Sequence, residues 1–459
     1  MTLIDPTDAR PVHFMGIAGA GMSALAELVV RRGVRVTGCD LTTAGTEDLA
    51  RLGIPLVAGH DPAHTQDARA LVVTAAVPQD HPELARARAL GLPVIKRAEA
   101  LGDLTRGREL VGVAGTHGKT TTTVMTADAL AAAGREPTAL AGGRVSAWGG
   151  NLRPGADRLY VVEADEYDRS FLTLAATVAV VTNIEADHLD IYKDLRDIRA
   201  AFAQFVRGAR TVVLCADDPG ANTLPTRSSS EVIRYGIDSG DARLLARDPR
   251  TPDGRFAFAV EFDGERLGEL SLAVPGRHNA LNALAAVASG LSLGAQFASM
   301  APAIGRFSGV GRRFEHVGDA RGVRVIDDYA HHPTEIAATL AAARGAFPGR
   351  RLVVAFQPHL FSRTRDFAAD FGAVLAAADV LFLTEIYAAR EQPIPGVTAD
   401  LIADAVKAAG GRLAWRGPRA ELADALAATA REGDVVVVMG AGDITKTGRE
   451  LLERLGGDA

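Results

Sequence analysis

Short apolar runs alternate with longer alanine-rich segments through most of the chain. A run of four or five apolar residues between turn residues is typical of a buried strand, whereas the alanine-rich segments favour helices. The runs predict strands at residues 12–15, 34–38, 71–74, 94–95, 111–114, 160–163, 178–182, 211–215, 323–327, 352–356, 380–384 and 435–439. Helices are predicted at 23–32, 83–90, 198–206 and 279–293. Because the two kinds of element alternate, we expect an α/β fold with mostly parallel sheets.

A glycine turn follows the predicted strand at 111–114. It comprises Gly115, Thr116, His117, Gly118, Lys119, Thr120 and Thr121. Backbone N–H groups of such a turn, together with the following helix N-terminus, cradle phosphate; the lysine can reach the β/γ-phosphates and a threonine hydroxyl can ligate Mg²⁺. The usual loop has a further glycine where this chain has Val113. The turn predicts ATP or GTP binding; the alternative is a helix cap without a ligand.

A second glycine turn lies near the N-terminus, where Gly19, Gly21 and Ala24 follow the first predicted strand. Asp40 stands about 20 residues further on, as in the dinucleotide fingerprint. The turn predicts a diphosphate site without deciding between a nicotinamide dinucleotide and a UDP-sugar, and a tight turn that merely needs glycine is the alternative. The candidate ligand-binding residues are Gly19, Ala20, Gly21, Met22, Asp40 and Thr74.

Carboxylates crowd the ends of two predicted strands. Glu163, Asp165, Glu166 and Asp168 follow one strand, and residues 183–190, with three carboxylates and His188, follow the next. Such crowding is costly unless a cation compensates, and Mg²⁺ takes carboxylate oxygens together with phosphates. The clusters predict a metal that bridges phosphates, with Glu163 and His188 as ligands beside Thr120. A solvated surface and a structural loop histidine are the alternatives.

Composition narrows the class of protein. Hydrophobic residues make up 47% and charged residues 23% of the chain, and the net charge is −6. These values fit a soluble globular protein without a nucleic-acid footprint. The N-terminus does not resemble a signal peptide and no apolar run approaches the ~20 residues that span a bilayer, so we expect a cytoplasmic protein without membrane insertion. Cys39 and Cys215 suggest no disulfide framework, and Cys39 is interpreted as a small buried residue.

These motifs together resemble those of the Mur ligases of peptidoglycan synthesis. The resemblance covers the two glycine turns, the acidic clusters, and the stretches 276–282, 311–315 and 327–334. The opening stretch 13–23, with 357–365 and 443–446, is similar to the branch that joins L-alanine to UDP-N-acetylmuramate. The resemblance implies ATP and Mg²⁺ as cofactors. It also implies phosphorylation of the lactyl carboxylate, followed by attack of the alanine amine on the acyl phosphate.

The resemblance also implies three domains. These are a Rossmann-like UDP-sugar domain at 1–107, a P-loop-type ATP-binding domain with a parallel sheet at 108–316, and a Rossmann-like amino-acid domain at 317–459. A charged linker is expected at 103–108 and an antiparallel insert near 225–275. A monomer or homodimer is expected.

Individual roles follow from the resemblance. Lys119 holds the β/γ-phosphates, Thr120 the first metal, and Glu163 and His188 the metals. Asn279 and Asn282 read adenine with His278 nearby, although helix capping also accounts for both asparagines. Arg313 reaches the phosphates and Asp328 the ribose. His331, Arg363 and Arg365 face the alanine or the acyl phosphate, although Arg365 also fits a solvated helix face.

Two departures and three competing functions remain open at this point. Some relatives have arginine where this chain has Leu360, and no lysine between Lys193 and Lys407 can serve as a carbamylated metal bridge. A recycling ligase that attaches a tripeptide to the same sugar nucleotide is the main alternative. A nicotinamide-dependent oxidoreductase and a nucleotide-binding regulatory module are the others.

Overall fold

The computed structural model describes residues 3–74, 77–252, 255–389 and 391–456. It has an α/β fold with three largely parallel sheets, as predicted. The chain divides into two compact units. The first comprises Met1–Pro249, Phe258–Leu270 and Ala280–Phe307, and the second comprises Arg250–Ala257, Ser271–Asn279 and Ser308–Ala459.

The first sheet of unit 1 has five strands among the described residues, in the order β3-β2-β1-β4-β5, and all its pairs are parallel. Its central strands are buried on both faces, as expected for a parallel sheet covered by helices. The strands are β1 Val12–Met15, β2 Val36–Asp40, β3 Leu56–Ala58, β4 Ala70–Val73 and β5 Val94–Lys96. The helices are α1 Ala20–Arg31, α2 Glu47–Arg51, α3 Pro82–Ala89 and α4 Arg97–Thr105.

The second sheet has ten strands within the described part of the chain, in the order β15-β14-β13-β12-β11-β10-β6-β9-β7-β8. Its strands are β6 Glu109–Ala114, β7 Thr138–Val145, β8 Gly150–Arg153, β9 Leu159–Glu163, β10 Val178–Val181, β11 Thr211–Cys215, β12 Glu231–Gly236, β13 Leu244–Arg250, β14 Phe256–Phe262 and β15 Glu265–Leu272. The helices are α5 Lys119–Ala132, α6 Leu195–Val206, α7 Pro219–Asn222, α8 Arg277–Ser292 and α9 Phe297–Gly305. The parallel strands β10, β6 and β9 lie side by side, so their carboxyl ends meet at one edge.

The third sheet, in unit 2, has the order β16-β17-β21-β18-β19-β20. Alternate residues of β21 point to opposite faces. Val435 and Val437 belong to one apolar core and Val436 and Val438 to the other, so the sheet is packed on both sides. The strands are β16 Glu315–Ala320, β17 Val323–Asp328, β18 Leu352–Phe356, β19 Val380–Thr384, β20 Leu413–Gly417 and β21 Val435–Met439. The helices are α10 Pro333–Ala346, α11 Phe361–Asp366, α12 Ala368–Leu375, α13 Asp400–Ala408, α14 Leu422–Thr429 and α15 Lys446–Arg454.

Two local expectations need correction. The predicted antiparallel insert begins with strands that extend the parallel sheet, because β12 pairs in parallel with β11 and β13 pairs in parallel with β12. A tight turn at Asp263 and Gly264, both with positive φ, then joins β14 to β15. The predicted linker is wrong for residues 103–105, which form the last turn of α4. No helix of the described chain is long and apolar enough to cross a membrane.

Candidate functional site

The phosphate-type loop lies between β6 and α5 in unit 1, as predicted. Gly118 has φ of +81° and caps the N-terminus of α5, and Gly115 has φ of +140°. A Cβ on Gly115 would lie 1.9 Å from Thr182 Oγ1, and one on Gly118 would lie 2.5 Å from Asn282 Oδ1. Both positions therefore require glycine for backbone conformation and for space.

Lys119 begins α5, and its ammonium group turns back over the loop. Its Nζ donates to the carbonyl oxygens of Gly115, at 2.7 Å, and Thr116, at 3.2 Å. It also forms an ion pair with the buried carboxylate of Glu166, at 2.8 Å. Burial lowers the pKa of Lys119, but the charges of Glu166 and its acidic neighbours outweigh it and raise the pKa overall. Lys119 is therefore a fixed cation.

Glu166 is the partner that the sequence-based roles did not include. It is 3% exposed, and its Oε1 lies 3.6 Å from His188 Nε2. Burial raises the pKa of the Glu166 carboxyl, and the attraction of Lys119 offsets this only in part. Glu166 thus connects Lys119 to His188, two residues that the sequence placed in the same site.

The end of β10 holds the loop backbone in place. Thr182 Oγ1 donates to the carbonyl oxygen of His117 at 2.6 Å, and Asn183 Oδ1 accepts from the His117 N–H at 2.7 Å. The Glu185 N–H donates to Thr116 Oγ1 at 2.9 Å. The two motifs at residues 115–121 and 183–188 therefore form one structural unit.

Asn282 of α8 also contacts the phosphate-type loop and the start of α5. Its Oδ1 accepts a hydrogen bond from the buried hydroxyl of Thr122 at 3.1 Å, and the amide lies beside Gly118. Asn279 donates through Nδ2 to the carbonyl oxygen of Pro275 at 2.7 Å; it lies within the first turn of α8, not at the N-cap, so this contact is not the helix-capping alternative. The adenine role of both asparagines stays a prediction.

A cavity of about 900 Å³ lies in unit 1 beside the first glycine turn. All six N-terminal candidate residues line it, namely Gly19, Ala20, Gly21, Met22, Asp40 and Thr74. Residues 75 and 76, which follow Thr74, lie outside the described residues. The lining also includes Gly142 and Glu163 of the second sheet and Asp165, which follows β9. The cavity therefore extends from the N-terminal turn to the first acidic cluster.

Two carboxylates of this cavity are held by backbone N–H groups. Asp40 Oδ2 accepts from the Ala18 N–H at 2.9 Å, so Asp40 supports the glycine turn from within. Glu163 Oε2 accepts from the Gly142 N–H at 2.6 Å. Glu163 is thereby fixed at the end of β9 with its carboxylate at the cavity wall, where a hard cation could bind.

The remaining candidate residues lie in unit 2, and Glu335 of α10 links two of them. Its carboxylate lies 3.2 Å from Arg313 Nη1 and 3.1 Å from His331 Nδ1.

Burial, reinforced by the charge of Arg313, lowers the pKa of His278 to about 4. At neutral pH, His278 is therefore an uncharged imidazole.

Asp328 ends β17, and its carboxylate is buried. Its oxygens accept from the N–H groups of Phe314 and Ala330, each at 2.8 Å. Burial raises the pKa of Asp328 to about 6, although the Arg313 charge opposes the shift. The carboxylate thus organises two turns of unit 2, and its ribose role stays a prediction.

The two arginines of α11 differ sharply. Arg363 is 6% exposed and its Nη1 lies 3.3 Å from His359 Nδ1, while the ring of His359 lies 5.7 Å from that of His331. Arg365 is exposed and pairs with the adjacent Asp366 at 2.7 Å. Arg363 and His331 therefore share a neighbour, whereas Arg365 has the setting of a solvated helix face; the substrate role of Arg365 stays a prediction.

Three family models match the chain consecutively. Residues 11–109 match the Mur ligase family, catalytic domain; residues 113–290 match the Mur ligase middle domain; and residues 312–442 match the Mur ligase, glutamate ligase domain. A UDP-N-acetylmuramate–L-alanine ligase of Acidothermus cellulolyticus is 48% identical over 94% of this chain and 91% of its own. This chain belongs to the Mur ligase family.

Other relatives of this Mur ligase agree. The UDP-N-acetylmuramate–L-alanine ligase of Burkholderia orbicola is 44% identical over 97% of this chain and 98% of its own. The crystal structure of a UDP-N-acetylmuramate–alanine ligase from Thermotoga maritima matches with a TM-score of 0.84 and 32% identity, covering 97% of this chain and 99% of that one. A murein peptide ligase from Psychrobacter arcticus matches with a TM-score of 0.73 and 25% identity, covering 98% and 99%.

The Mur ligase site contains supporting residues that the motif-based roles missed. Glu166 and Glu335 each contact two predicted residues, and Thr182 and Asn183 hold the loop. The only sequence signal was their position inside, or one residue outside, motifs whose other members carried the assigned roles. Which carboxylate of a cluster becomes buried depends on packing between elements distant in sequence.

Proposed function

We propose that this Mur ligase joins L-alanine to the lactyl carboxylate of UDP-N-acetylmuramate at the expense of ATP. The observation that carries the proposal is near full-length identity of 44–48% to ligases named for that reaction. The geometry of unit 1 is consistent with it, because one continuous cavity reaches from a diphosphate-type turn to an acidic cluster beside a phosphate-type loop.

The reaction requires activation of a poor acyl donor. A lactyl carboxylate oxygen attacks the γ-phosphorus of ATP, the bond to the β-phosphate oxygen breaks, and ADP leaves. The alanine amine then attacks the acyl carbon, inorganic phosphate leaves, and the nitrogen loses a proton to give the amide. Such steps depend on positioning and on neutralising charge more than on covalent catalysis by the protein.

Lys119 and the loop fit a nucleoside triphosphate. The Lys119 ammonium is fixed above a turn in which any Cβ at Gly115 or Gly118 would clash, which is the cradle that phosphate oxygens need. We assign the β/γ-phosphates to Lys119 and to the N–H groups of residues 115–121. A bound phosphate would compete with Glu166 for the Lys119 ammonium, since both partners are anionic.

The candidate metal ligands are not equally suited to Mg²⁺, which prefers oxygen donors to nitrogen donors. Glu163 offers a carboxylate held by the Gly142 N–H, and Thr120 offers a hydroxyl at the start of α5. His188 offers an imidazole, a ligand that Mg²⁺ seldom takes. We propose Glu163 and Thr120 as metal ligands, with His188 as a further ligand close to Glu166. The bound metal would neutralise charge on the transferred phosphoryl group.

The remaining roles are proposals of the same kind. The residues of the first glycine turn, with Asp40 and Thr74, bind the UDP-sugar. Asn279, Asn282 and His278 surround the adenine, Arg313 meets the phosphates and Asp328 the ribose. His331, Arg363 and Arg365 receive the alanine and the acyl phosphate, and Arg363 would then serve where relatives carry arginine at the position of Leu360. We also propose three functional domains at 1–107, 108–316 and 317–459, a cytoplasmic location, and a monomer or homodimer.

A tripeptide-recycling ligase is the competing function. The murein peptide ligase of Psychrobacter arcticus shares less identity and a lower TM-score than the alanine ligase of Thermotoga maritima, at 25% and 0.73 against 32% and 0.84. This difference favours the alanine reaction.

The test is ADP release by the purified chain with ATP, Mg²⁺ and UDP-N-acetylmuramate. We expect release that requires both the sugar nucleotide and L-alanine. ADP release that occurs with the L-Ala-D-Glu-diaminopimelate tripeptide but not with L-alanine would assign the recycling reaction instead. Lys119→Ala should abolish release; near-normal release by that variant would overturn the role of the loop, and Arg321→Ala, an exposed change in unit 2, is a suitable control.

A further inference from the structure

Six residues with metal-binding side chains converge in the N-terminal sheet region, beside the sugar-nucleotide cavity, and none of them has a role proposed above. They include four of the eleven histidines and one of the two cysteines of the chain. They come from β1, β2, the loop after β3, the turn Pro62–Thr65 and the start of α3. The cluster, called the His/Cys cluster below, comprises His13, Cys39, His60, His64, His81 and Glu83.

The distances within the His/Cys cluster are short. Cys39 Sγ lies 3.3 Å from His13 Nε2 and 3.4 Å from Glu83 Oε1. Glu83 Oε1 lies 2.8 Å from His64 Nδ1. One donor atom from each of these four residues lies within 4.8 Å of the other three. Zinc bonds of about 2.0–2.3 Å in a tetrahedron place their ligand atoms about 3.3–3.8 Å apart, so small adjustments suffice to admit an ion.

We propose that His13, Cys39, His64 and Glu83 form a binding site for a zinc-like divalent cation. One thiolate, two imidazoles and one carboxylate are a donor set that zinc accepts and that Mg²⁺ and Ca²⁺ do not favour. Binding would convert the Cys39 thiol to a thiolate, with its proton released to solvent. The site is separate from the proposed Mg²⁺ site at Glu163.

The hydrogen-bond partners of the proposed ligands also support metal binding. His13 Nδ1 lies 2.9 Å from Thr37 Oγ1, which leaves Nε2 directed at Cys39. A hydrogen bond on the other ring nitrogen is the usual way in which a metal-bound histidine is oriented. His60 Nδ1 lies 3.2 Å from both Cys39 Sγ and Glu83 Oε2, so it can take over a ligand position or stabilise the thiolate.

The setting of Glu83 argues for a cation rather than for simple packing. The carboxylate side chain is fully buried, and its ion-pair partners are His60 and His64. Within the part of the chain that the structure describes, no lysine or arginine forms an ion pair with Glu83. A buried carboxylate without a permanent cation is expensive, and a divalent ion would supply the missing charge.

A metal here would stabilise the substrate turn. The carbonyl oxygen of Cys39 accepts from the N–H groups of Gly16, at 2.9 Å, and Ile17, at 3.1 Å. His60 and His81 also line the 900 Å³ cavity, which gives an ion a path from solvent. The site is therefore a structural metal site next to the sugar-nucleotide cavity.

The test uses the full-length chain, freed of metal with a chelator and then dialysed against limiting zinc in excess Mg²⁺ to occupy oxygen sites. We expect about one retained zinc per chain by elemental analysis. Cobalt loaded in place of zinc should give a thiolate-to-cobalt charge-transfer absorption, and zinc should raise the melting temperature. Absence of retained zinc in the wild-type chain would overturn the proposal.

Variants separate this site from other zinc contacts. Cys39→Ser should abolish the charge-transfer absorption, and His64→Gln, a change at a partly exposed side chain that should preserve the fold, should weaken zinc binding by roughly 100-fold or more. Cys215→Ser and His316→Gln, at a buried cysteine and an exposed histidine elsewhere, should bind zinc like the wild type. Equal zinc retention by His64→Gln and the wild type would contradict the proposal. These readouts are independent of ligase activity, so they can fail without affecting the proposed reaction.

Discussion

Removal of Lys119 should destabilise unit 1 unless Glu166 is neutralised at the same time. The two side chains form an ion pair at 2.8 Å, and both are nearly buried. In Lys119→Met, Glu166 keeps His188 at 3.6 Å but loses its cation. In Glu166→Gln, Lys119 keeps the carbonyl oxygens of Gly115 and Thr116. The two single variants should therefore differ in cost.

The magnitudes follow from these remaining contacts. Breaking a buried ion pair by deleting one partner costs about 3–5 kcal/mol, so we expect about 4 kcal/mol for Lys119→Met. Glu166→Gln should cost about 2 kcal/mol, because Lys119 retains neutral acceptors. The double variant Lys119→Met/Glu166→Gln should lie within about 1 kcal/mol of the wild type, since replacing both ions by neutral groups of similar volume is often tolerated.

The pH dependence of the single variant has a defined sign. Without Lys119, burial raises the pKa of Glu166 further above its value in the unfolded chain. A carboxyl with a raised pKa in the folded state favours folding at low pH, and this contribution is lost as the pH rises. The stability deficit of Lys119→Met should therefore shrink as the pH falls from 8 to 5, and the double variant should not show this trend.

Urea titration can measure these values in unit 1 alone. The chain has two tryptophans, Trp148 in unit 1 and Trp415 in unit 2. In a Trp415→Phe background, fluorescence of Trp148, whose Nε1 donates to Asp128 at 3.0 Å, reports on unit 1. A double variant that loses as much stability as the two single variants combined would refute the coupling of Lys119 to Glu166.

Three further outcomes are expected. Gly142→Ala would place a Cβ 2.6 Å from Glu163 Oε1, so it should raise the Mg²⁺ concentration for half-maximal ADP release about 10-fold, measured by Mg²⁺ titration at fixed ATP. Asp328→Asn should remove a pH dependence: because the pKa of Asp328 is raised from 3.8 to about 6, the wild type should lose about 2 kcal/mol of stability as the pH rises from 4 to 7. Paired urea titrations should show this loss in the wild type and not in the variant, and an equal loss in both would contradict the assignment. Arg365→Ala should change stability by under about 0.5 kcal/mol, and an unchanged KM for L-alanine would remove that residue from the substrate site.

Strands buried on both faces could be predicted almost to the residue. Predicted and observed bounds agree for Thr211–Cys215, Leu352–Phe356, Val380–Thr384 and Val435–Met439. Each is a continuous apolar run that a parallel sheet buries on both faces. The first and last residues of the apolar run therefore coincide with the ends of the strand. The edge strand Leu413–Gly417 was not predicted, because its residues alternate between half-buried and exposed and it resembles a loop in sequence.

Backbone contacts of polar residues were much harder to predict. Asp40 matched the position of a ribose-binding carboxylate, yet its oxygen accepts from Ala18 N–H within the turn. The acidic cluster at 163–168 did not reveal which carboxylate would be buried. In the structure Glu166 is buried, whereas Glu163, Asp165 and Asp168 are half-buried. Asp168 and Arg169 have φ of +53° and +55°, a reversal of the chain that the composition does not predict.

The ion pair between Lys119 and Glu166 shows why motifs read separately gave an incomplete site. Without phosphate, a buried ammonium at the loop would be costly, and so would a buried carboxylate among its acidic neighbours. The fold brings together two motifs 47 residues apart so that each group offsets the other. An incoming phosphate would then compete with Glu166 for the same cation, and Glu166 would be left beside added negative charge. We therefore expect the strength of nucleotide binding in this Mur ligase to depend on the carboxylate as well as on the lysine, although only the lysine belongs to a recognised phosphate motif.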